Sequence, residues 1–386
     1  MGVSVNRRII KICVGLLGLC AVSCTDRRPP DVHNGDTGDA GTWRAPDGGA
    51  PRYNVLLFIM DGAGPAQLEA ARRVKQAPLF VDRFASHTLM TTEAAGGVVT
   101  DSGAAATAIA TGHKVTPYSL GVALPGNGRP LVTALELRQQ VGAPVGVATV
   151  ETPLVDATPA AFVAHQSSRF DEAGVASDYL RRTRPDLIAG GTSSSLGSSQ
   201  ARAAGYVVVD AEAALAARSP GTDRVAWLYD DARPRLAELT RASLSFLSRG
   251  KPGFFLMVET EATDTHGHLN DLAGVVAAIL EMDQAVGEAM AWLGDRTDTL
   301  IIVTSDHETG GLELDEPALD ASIPDVLQND AAIVDASALF GGALPRHRYT
   351  TASHTSRPVD VFAIGAAHES ILRVTDNTHL FNILAP

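Results

Sequence analysis

Past residue 24 the chain has no cysteine. Its three, Cys13, Cys20 and Cys24, all lie near the start of a 386-residue sequence, so the body must be held by core, hydrogen bonds or metals. Aromatic residues are scarce at 5%; Ala and Gly take their place, as in helices packed tightly on a sheet. Positive charge is also short: 31 Lys and Arg against 44 Asp and Glu leave a net charge of −13. A nucleic-acid partner gripped by a basic face is excluded on that count. With 45% hydrophobic and 19% charged residues, neither a disordered tail nor a disulfide miniprotein fits, and a sizeable core does.

A long apolar span is missing as well. The run at 12–22 is too short to cross a bilayer, which takes about 20 residues. Behind Arg7, Arg8 and Lys11 it suits a secretory leader. It ends in Ala21-Val22-Ser23-Cys24 and turns polar at Thr25-Asp26-Arg27. A small residue before Cys resembles a bacterial lipoprotein cleavage signal, although Ala21 stands where Leu is preferred. The expectation is a lipoprotein-type signal peptide over 1–23, with plain secretion or a retained anchor as alternatives. Residues 24–52, rich in Gly, Pro and Asp, read as a flexible tether. The catalytic domain is expected over 53–386. The address is an exported protein, periplasmic or at the cell surface, held to a bacterial membrane through Cys24.

From Asn54 onward, apolar runs of strand length alternate with helix-period segments, the pattern of an α/β fold with a mostly parallel sheet. Strands are expected at Val55–Met60, Val145–Val150, Phe254–Val258, Leu300–Thr304 and Val359–Ile364. Pro65 suits the first turn of a helix through Arg73. Apolar spacing at Leu272, Val276, Ile279, Val286, Met290 and Leu293 predicts a helix over 272–293. Thr192–Gln200 reads as a loop and Asp315–Arg348 as surface connection.

Three apolar strands run directly into Asp61, Glu259 and Asp306-His307. Each acid alone would pass as a cap or loop residue; together, at strand ends where parallel sheets bind ligands, they suggest a site. Ser102 in Thr100-Asp101-Ser102-Gly103-Ala104 precedes an Ala-rich helix former, and is either an ordinary helix cap or part of an anion site. Glu259-Thr260-Glu261-Ala262-Thr263-Asp264-Thr265-His266-Gly267-His268 holds three acids and two histidines, donors suited to zinc when mixed and to magnesium when all oxygen. Asp306, His307 and His354 would complete a multi-metal set.

The segments Phe58-Ile59-Met60-Asp61-Gly62-Ala63-Gly64, Asp101-Ser102-Gly103-Ala104-Ala105-Ala106-Thr107, Asp156-Ala157-Thr158-Pro159, Asp306-His307-Glu308-Thr309-Gly310-Gly311 and Ser353-His354-Thr355 resemble the alkaline phosphatase family, in its order. The resemblance covers most of the chain from Asn54 to Leu384. It implies a three-layer α/β/α fold and hydrolysis of small phosphate monoesters through a phosphoserine at Ser102. It further implies one zinc on Asp264, His268 and His354, and a second on Asp61, Asp306 and His307 with the Ser102 oxygen. A magnesium would sit on Asp61, Asp156, Thr158 and Glu259. Arg169 matches the phosphate-clamping arginine, with Asp101 orienting it. Relatives are often dimers, which leaves a homodimer open.

Some positions depart from the family pattern. Ala63 stands where Met is frequent, Thr260-Glu261 where relatives carry Gly-Gly or Gly-Ala, and Thr265 where they place Lys, Trp or His. Glu261 adds a carboxylate close to the metals, which bears on magnesium affinity and pH optimum. The rival activities are a phosphodiesterase or sulfatase of the same superfamily, and a phosphate- or metal-binding lipoprotein without turnover.

Overall fold

The computed structural model describes residues 53–230, 232–250, 253–315 and 342–386. The leader and tether expectations therefore lie outside the described residues, as does 316–341 of the expected surface connection. A nine-stranded sheet forms the centre. Its strands are β1 (Asn54–Met60), β2 (Ser86–Met90), β3 (Val145–Pro153), β4 (Leu187–Gly191), β5 (Val207–Val209), β6 (Val225–Tyr229), β7 (Phe255–Thr260), β8 (Thr299–Thr304) and β13 (Val359–Gly365). Two small ribbons, β9 (Glu308–Thr309) with β12 (His354–Thr355) and β10 (Glu313–Leu314) with β11 (His347–Arg348), stand apart from it.

The sheet order is β2-β13-β8-β1-β7-β3-β4-β6-β5. All strands are parallel except β13, which runs antiparallel to both β8 and β2. β1 shows why the centre is parallel and buried on both faces. Val55, Leu57 and Ile59 join one apolar cluster while Leu56, Phe58 and Met60 join the other, the continuous apolar reading of a strand covered by helices on each side. One cluster takes in the helices Pro65–Lys75, Leu236–Leu247 and Leu272–Leu293. The other takes in Ser102–Thr111, Ala134–Gln140 and Phe381–Leu384. The result is the expected three-layer α/β/α arrangement.

The helices Pro65–Lys75 and Leu272–Leu293 form where their periodicity predicts. Part of the expected Ser-rich loop is a short helix instead, Ser198–Ala203. The helix Ser102–Thr111 is buried along its whole length, so its Ala-rich sequence reflects the narrow space it fills. Gly112 ends it at φ +73°, a C-terminal position that glycine occupies without strain.

Candidate active site

Neighbouring strands deliver the polar residues. β8, β1, β7 and β3 lie side by side, and their carboxyl ends supply Asp306 and His307, Asp61, Glu259, and Asp156 with Thr158. Glu259 lies within β7 rather than after it, paired in register with Ile59 and Thr149. Because β13 runs backwards, its amino-terminal end comes to this same edge. The β12–β9 pairing then sets His354 opposite Thr309. Asp264 and His268 arrive on the helix Ala262–His268 that follows β7.

Asp61 needs the residue after it to be glycine. Gly62 has φ +75°, and a Cβ there would stand 2.8 Å from Cα of Asp264. The turn thus presses the β1 end against the helix carrying Asp264, which a side chain would prevent.

Ser102 is the first residue of its helix, but Asp101 is the cap. Its carboxylate accepts from the backbone N–H groups of Gly103 and Ala104. The capping alternative for Ser102 is therefore not what the structure contains. Its hydroxyl instead faces His307, with Oγ 3.2 Å from Nε2. The same nitrogen is 3.4 Å from an oxygen of Asp61 and 3.4 Å from one of Asp306. Asp61, Asp306 and His307 are fully buried.

A second group sits alongside, with the His307 and His354 rings stacked at 3.8 Å. Nδ1 of His268 is 2.8 Å from the Ala352 carbonyl, and Nδ1 of His354 is 2.9 Å from that of Thr100. Carbonyls only accept, so in the neutral rings both Nδ1 atoms carry the proton and both Nε2 atoms are left with lone pairs. Those two nitrogens face each other at 3.0 Å, with Asp264 oxygens 3.2 and 3.5 Å away. Lone pairs and carboxylates converging in this way need a cation between them. In the metal-free protein a proton serves in part: the Asp264 hydrogen bond pushes His268 up to about 9.

Charge in the buried cluster follows the same logic. Burial, then the neighbouring Asp306, holds Asp61 well above the usual carboxylate range. Burial and Asp264 raise Asp306 to about 7, and burial raises Glu259 and Glu261. Asp264 is lowered: burial opposes this, but its histidine partners outweigh it. Burial and His354 hold His307 well below the ordinary histidine value. Among the described residues, Asp61 Oδ1 and Glu259 Oε1 are buried without a hydrogen-bond partner. Buried carboxyl oxygens are seldom left so, and orphans of this kind fit metal ligands.

Arg169 closes the other side. Its guanidinium donates to Asp101 (3.0 Å) and Asp156 (2.7 Å), and these two carboxylates outweigh burial and keep it charged. Asp156 is thus drawn to the arginine, while Thr158 donates to Asp61 Oδ2 at 2.8 Å. Ligand atoms of three groups converge within 4.8 Å: Asp264, His307 and His354; Asp61, Asp306 and His307; and Asp61, Glu259 and Glu261.

Sequence reading missed the supports. Thr309 donates to Asp264, and Thr149 donates to Glu259. Tyr118 uses its backbone N–H on Asp101 (2.8 Å) and its carbonyl on the N–H of Arg169 (2.7 Å). Thr309 lay within a recognised motif; Thr149 and Tyr118 carried no signal, since one is buried in a strand and the other acts through its backbone.

A serine at a helix N-terminus, an arginine beside it and mixed carboxylate–imidazole groups at parallel strand ends define a hydrolase fitted to a phosphate group. The alkaline phosphatase family profile matches residues 52–192 and 217–338. Streptomycin-6-phosphate phosphatase of Streptomyces griseus is 31% identical over 86% of this chain and 90% of its own length. Alkaline phosphatase 4 of Bacillus subtilis is 28% identical over 86% and 87%. Among solved structures, the alkaline phosphatase of the Antarctic bacterium TAB5 covers 87% of this chain and 97% of its own at 26% identity, with a TM-score of 0.72. The chain belongs to the alkaline phosphatase family and is a phosphoric monoester hydrolase.

Proposed function

We propose that this chain hydrolyses phosphate monoesters in a metal-dependent reaction that passes through a phosphoserine at Ser102. The observation that carries the reading is the Ser102 hydroxyl. Freed from capping by Asp101, it lies 3.2 Å from His307 Nε2 at the edge of a cation-seeking donor cluster. The ligand sets proposed are Asp264, His268 and His354 for one zinc, and Asp61, Asp306, His307 and Ser102 for another. Asp61, Asp156, Thr158 and Glu259 are proposed for magnesium.

The ions, when bound, would lower the pKa of the serine hydroxyl and of water and offset charge developing on the phosphoryl and leaving oxygens. The remaining work falls to the chain itself. Arg169 offers parallel N–H donors to two phosphoryl oxygens, and Asp101 and Asp156 hold the guanidinium plane in place. The N-terminus of the helix Ser102–Thr111 favours the phosphate dianion as Ser102 Oγ attacks phosphorus. The bond to the ester oxygen opposite Ser102 breaks. The serine proton passes to solvent, and the departing oxygen takes one from solvent to leave as the alcohol. Water then attacks the phosphoserine, breaking its P–O bond and returning the proton to Ser102 as phosphate is released.

His307 as a simple general base for Ser102 is the competing reading. Its depressed basicity and the two carboxylates facing the same nitrogen oppose it. Chelation followed by reloading separates the two: zinc is expected to restore most activity and magnesium alone none. Full activity in protein shown by elemental analysis to hold no zinc would overturn the assignment.

Export is part of the same proposal, with 1–23 a lipoprotein-type signal, 24–52 a tether and 53–386 the catalytic domain. It is supported by the basic leader, the apolar run and Cys24. Cys24→Ser should leave the detergent phase on partitioning while keeping activity; equal partitioning of both forms would refute the anchor.

A further inference from the structure

Glu261 is the first residue after β7 and the position before the helix Ala262–His268. An acid there would ordinarily be read as a helix cap. Its side chain makes no capping bond, although its carbonyl accepts the N–H groups of Asp264 and Thr265. The backbone is fixed by those bonds and the carboxylate is left for something else.

It turns to Asp61 and Glu259, one oxygen of each of the three lying within 4.8 Å of the others. Asp61 and Glu259 have no exposure to solvent. Each has one oxygen satisfied, Asp61 Oδ2 by Thr158 and Glu259 Oε2 by Thr149. The others, Asp61 Oδ1 and Glu259 Oε1, have no hydrogen-bond partner among the described residues. Asp156 has no such oxygen to offer. Its Oδ1 accepts from Arg169 and from the Ala157 N–H, each at 2.7 Å, and its Oδ2 from Thr152 at 2.7 Å.

We propose that Glu261 is a direct ligand of the third cation, which this chain holds with the carboxylates of Asp61, Glu259 and Glu261 and the Thr158 hydroxyl, while Asp156 positions Arg169. The inference rests on the three-cation reading above and changes its ligand set. An all-oxygen set of three carboxylates suits a hard divalent ion such as magnesium or manganese, and its extra negative charge tightens the hold on that ion. Glycine or alanine at this position would leave that coordination place to water.

Manganese serves as the probe, because its free form is measured directly by paramagnetic resonance. Full-length protein is stripped, reloaded with two zinc ions and titrated with manganese. Wild type should bind one ion. Glu261→Gln should bind it at least about tenfold more weakly, with zinc content unchanged. Asp156→Asn should change manganese affinity by less than about threefold and instead weaken inhibition by inorganic phosphate. Thermal unfolding of the metal-free proteins adds a readout that a structural role would move the other way. Glu261→Gln and Glu261→Ala should match or exceed wild type, since one like charge leaves the cluster. Manganese affinity unchanged in Glu261→Gln, a larger loss in Asp156→Asn, or a destabilised metal-free Glu261→Ala would overturn the inference. If zinc-loaded wild type takes up no manganese, the three-cation reading fails together with it.

Discussion

Two imidazole nitrogens facing each other at 3.0 Å, each with its other nitrogen tied to a carbonyl, fit the proposed role of His268 and His354 as ligands of one cation. Arg169 is narrowly specified. Its forked donors reach Asp101 and Asp156 at once, a geometry that a lysine ammonium cannot reproduce. Arg169→Lys should therefore lower kcat/KM for a chromogenic monoester by at least about tenfold. Most of that loss should appear as weaker binding of substrate and phosphate. Steady-state kinetics with phosphate inhibition constants would check it, and an unchanged phosphate inhibition constant would count against the clamp. At this scale the sequence was most informative. The motif residues were legible through their resemblance to a known family, and Glu261 as a departure from its pattern. The supports were not legible. Thr149 donates from inside an apolar strand and Tyr118 through its backbone, and neither act leaves a mark on residue type.

The helix Ser102–Thr111 shows what one element contributes. Asp101 caps it and also binds Arg169 and the Tyr118 N–H, so two roles are fused in one carboxylate. Asp101→Ala should cost about 0.5–2 kcal/mol or somewhat more, as the two helix N–H groups and that of Tyr118 lose their acceptor, and should weaken phosphate binding. Asp101→Asn, a good cap without the charge, should keep most of the stability yet still weaken phosphate binding. Thermal unfolding and phosphate inhibition measured on both variants separate the roles; parallel losses in both would show that they are inseparable. Sequence reading left Ser102 open as the cap, because Ser and Asp are both favoured there and only the hydrogen bonds decide. The direction of β13 was equally hidden. An apolar run such as Val359–Gly365 reads the same either way along the sheet, yet its reversal is what brings His354 to the site. β2 and β4–β6 went unnamed for a related reason: they are short, with weak alternation.

Across the whole molecule, an acidic chain gathers further acids in its interior. Without metal, Asp306 is raised to about 7 from an ordinary 3.8 and His268 to about 9 from 6.5; Asp61 and Glu259 are raised as well. The folded state then holds protons that the unfolded chain releases. Groups raised in this way contribute stability below their unfolded values that is lost as pH climbs through the folded ones. His307 and Asp264, both lowered, oppose this only below about pH 6.5, where the four raised carboxylates outnumber them. Metal-free protein should thus lose thermal stability from about pH 5 to about pH 9. Zinc and magnesium should remove most of that slope, because their charge replaces the protons. Melting curves across this range, with and without the ions, test the point; a metal-free protein that grows more stable with rising pH would contradict it.

The central claim is that Ser102 attacks phosphorus. Two in-line displacements retain configuration and one inverts it, so a monoester chiral at phosphorus, turned over in the presence of an amino-alcohol acceptor, gives the most direct answer. The account predicts retention in the transferred phosphate, with radiolabel trapped on the Ser102 peptide when turnover is quenched in acid. Inversion, with no label on that peptide, would show that water attacks directly and that Ser102 only lines the site.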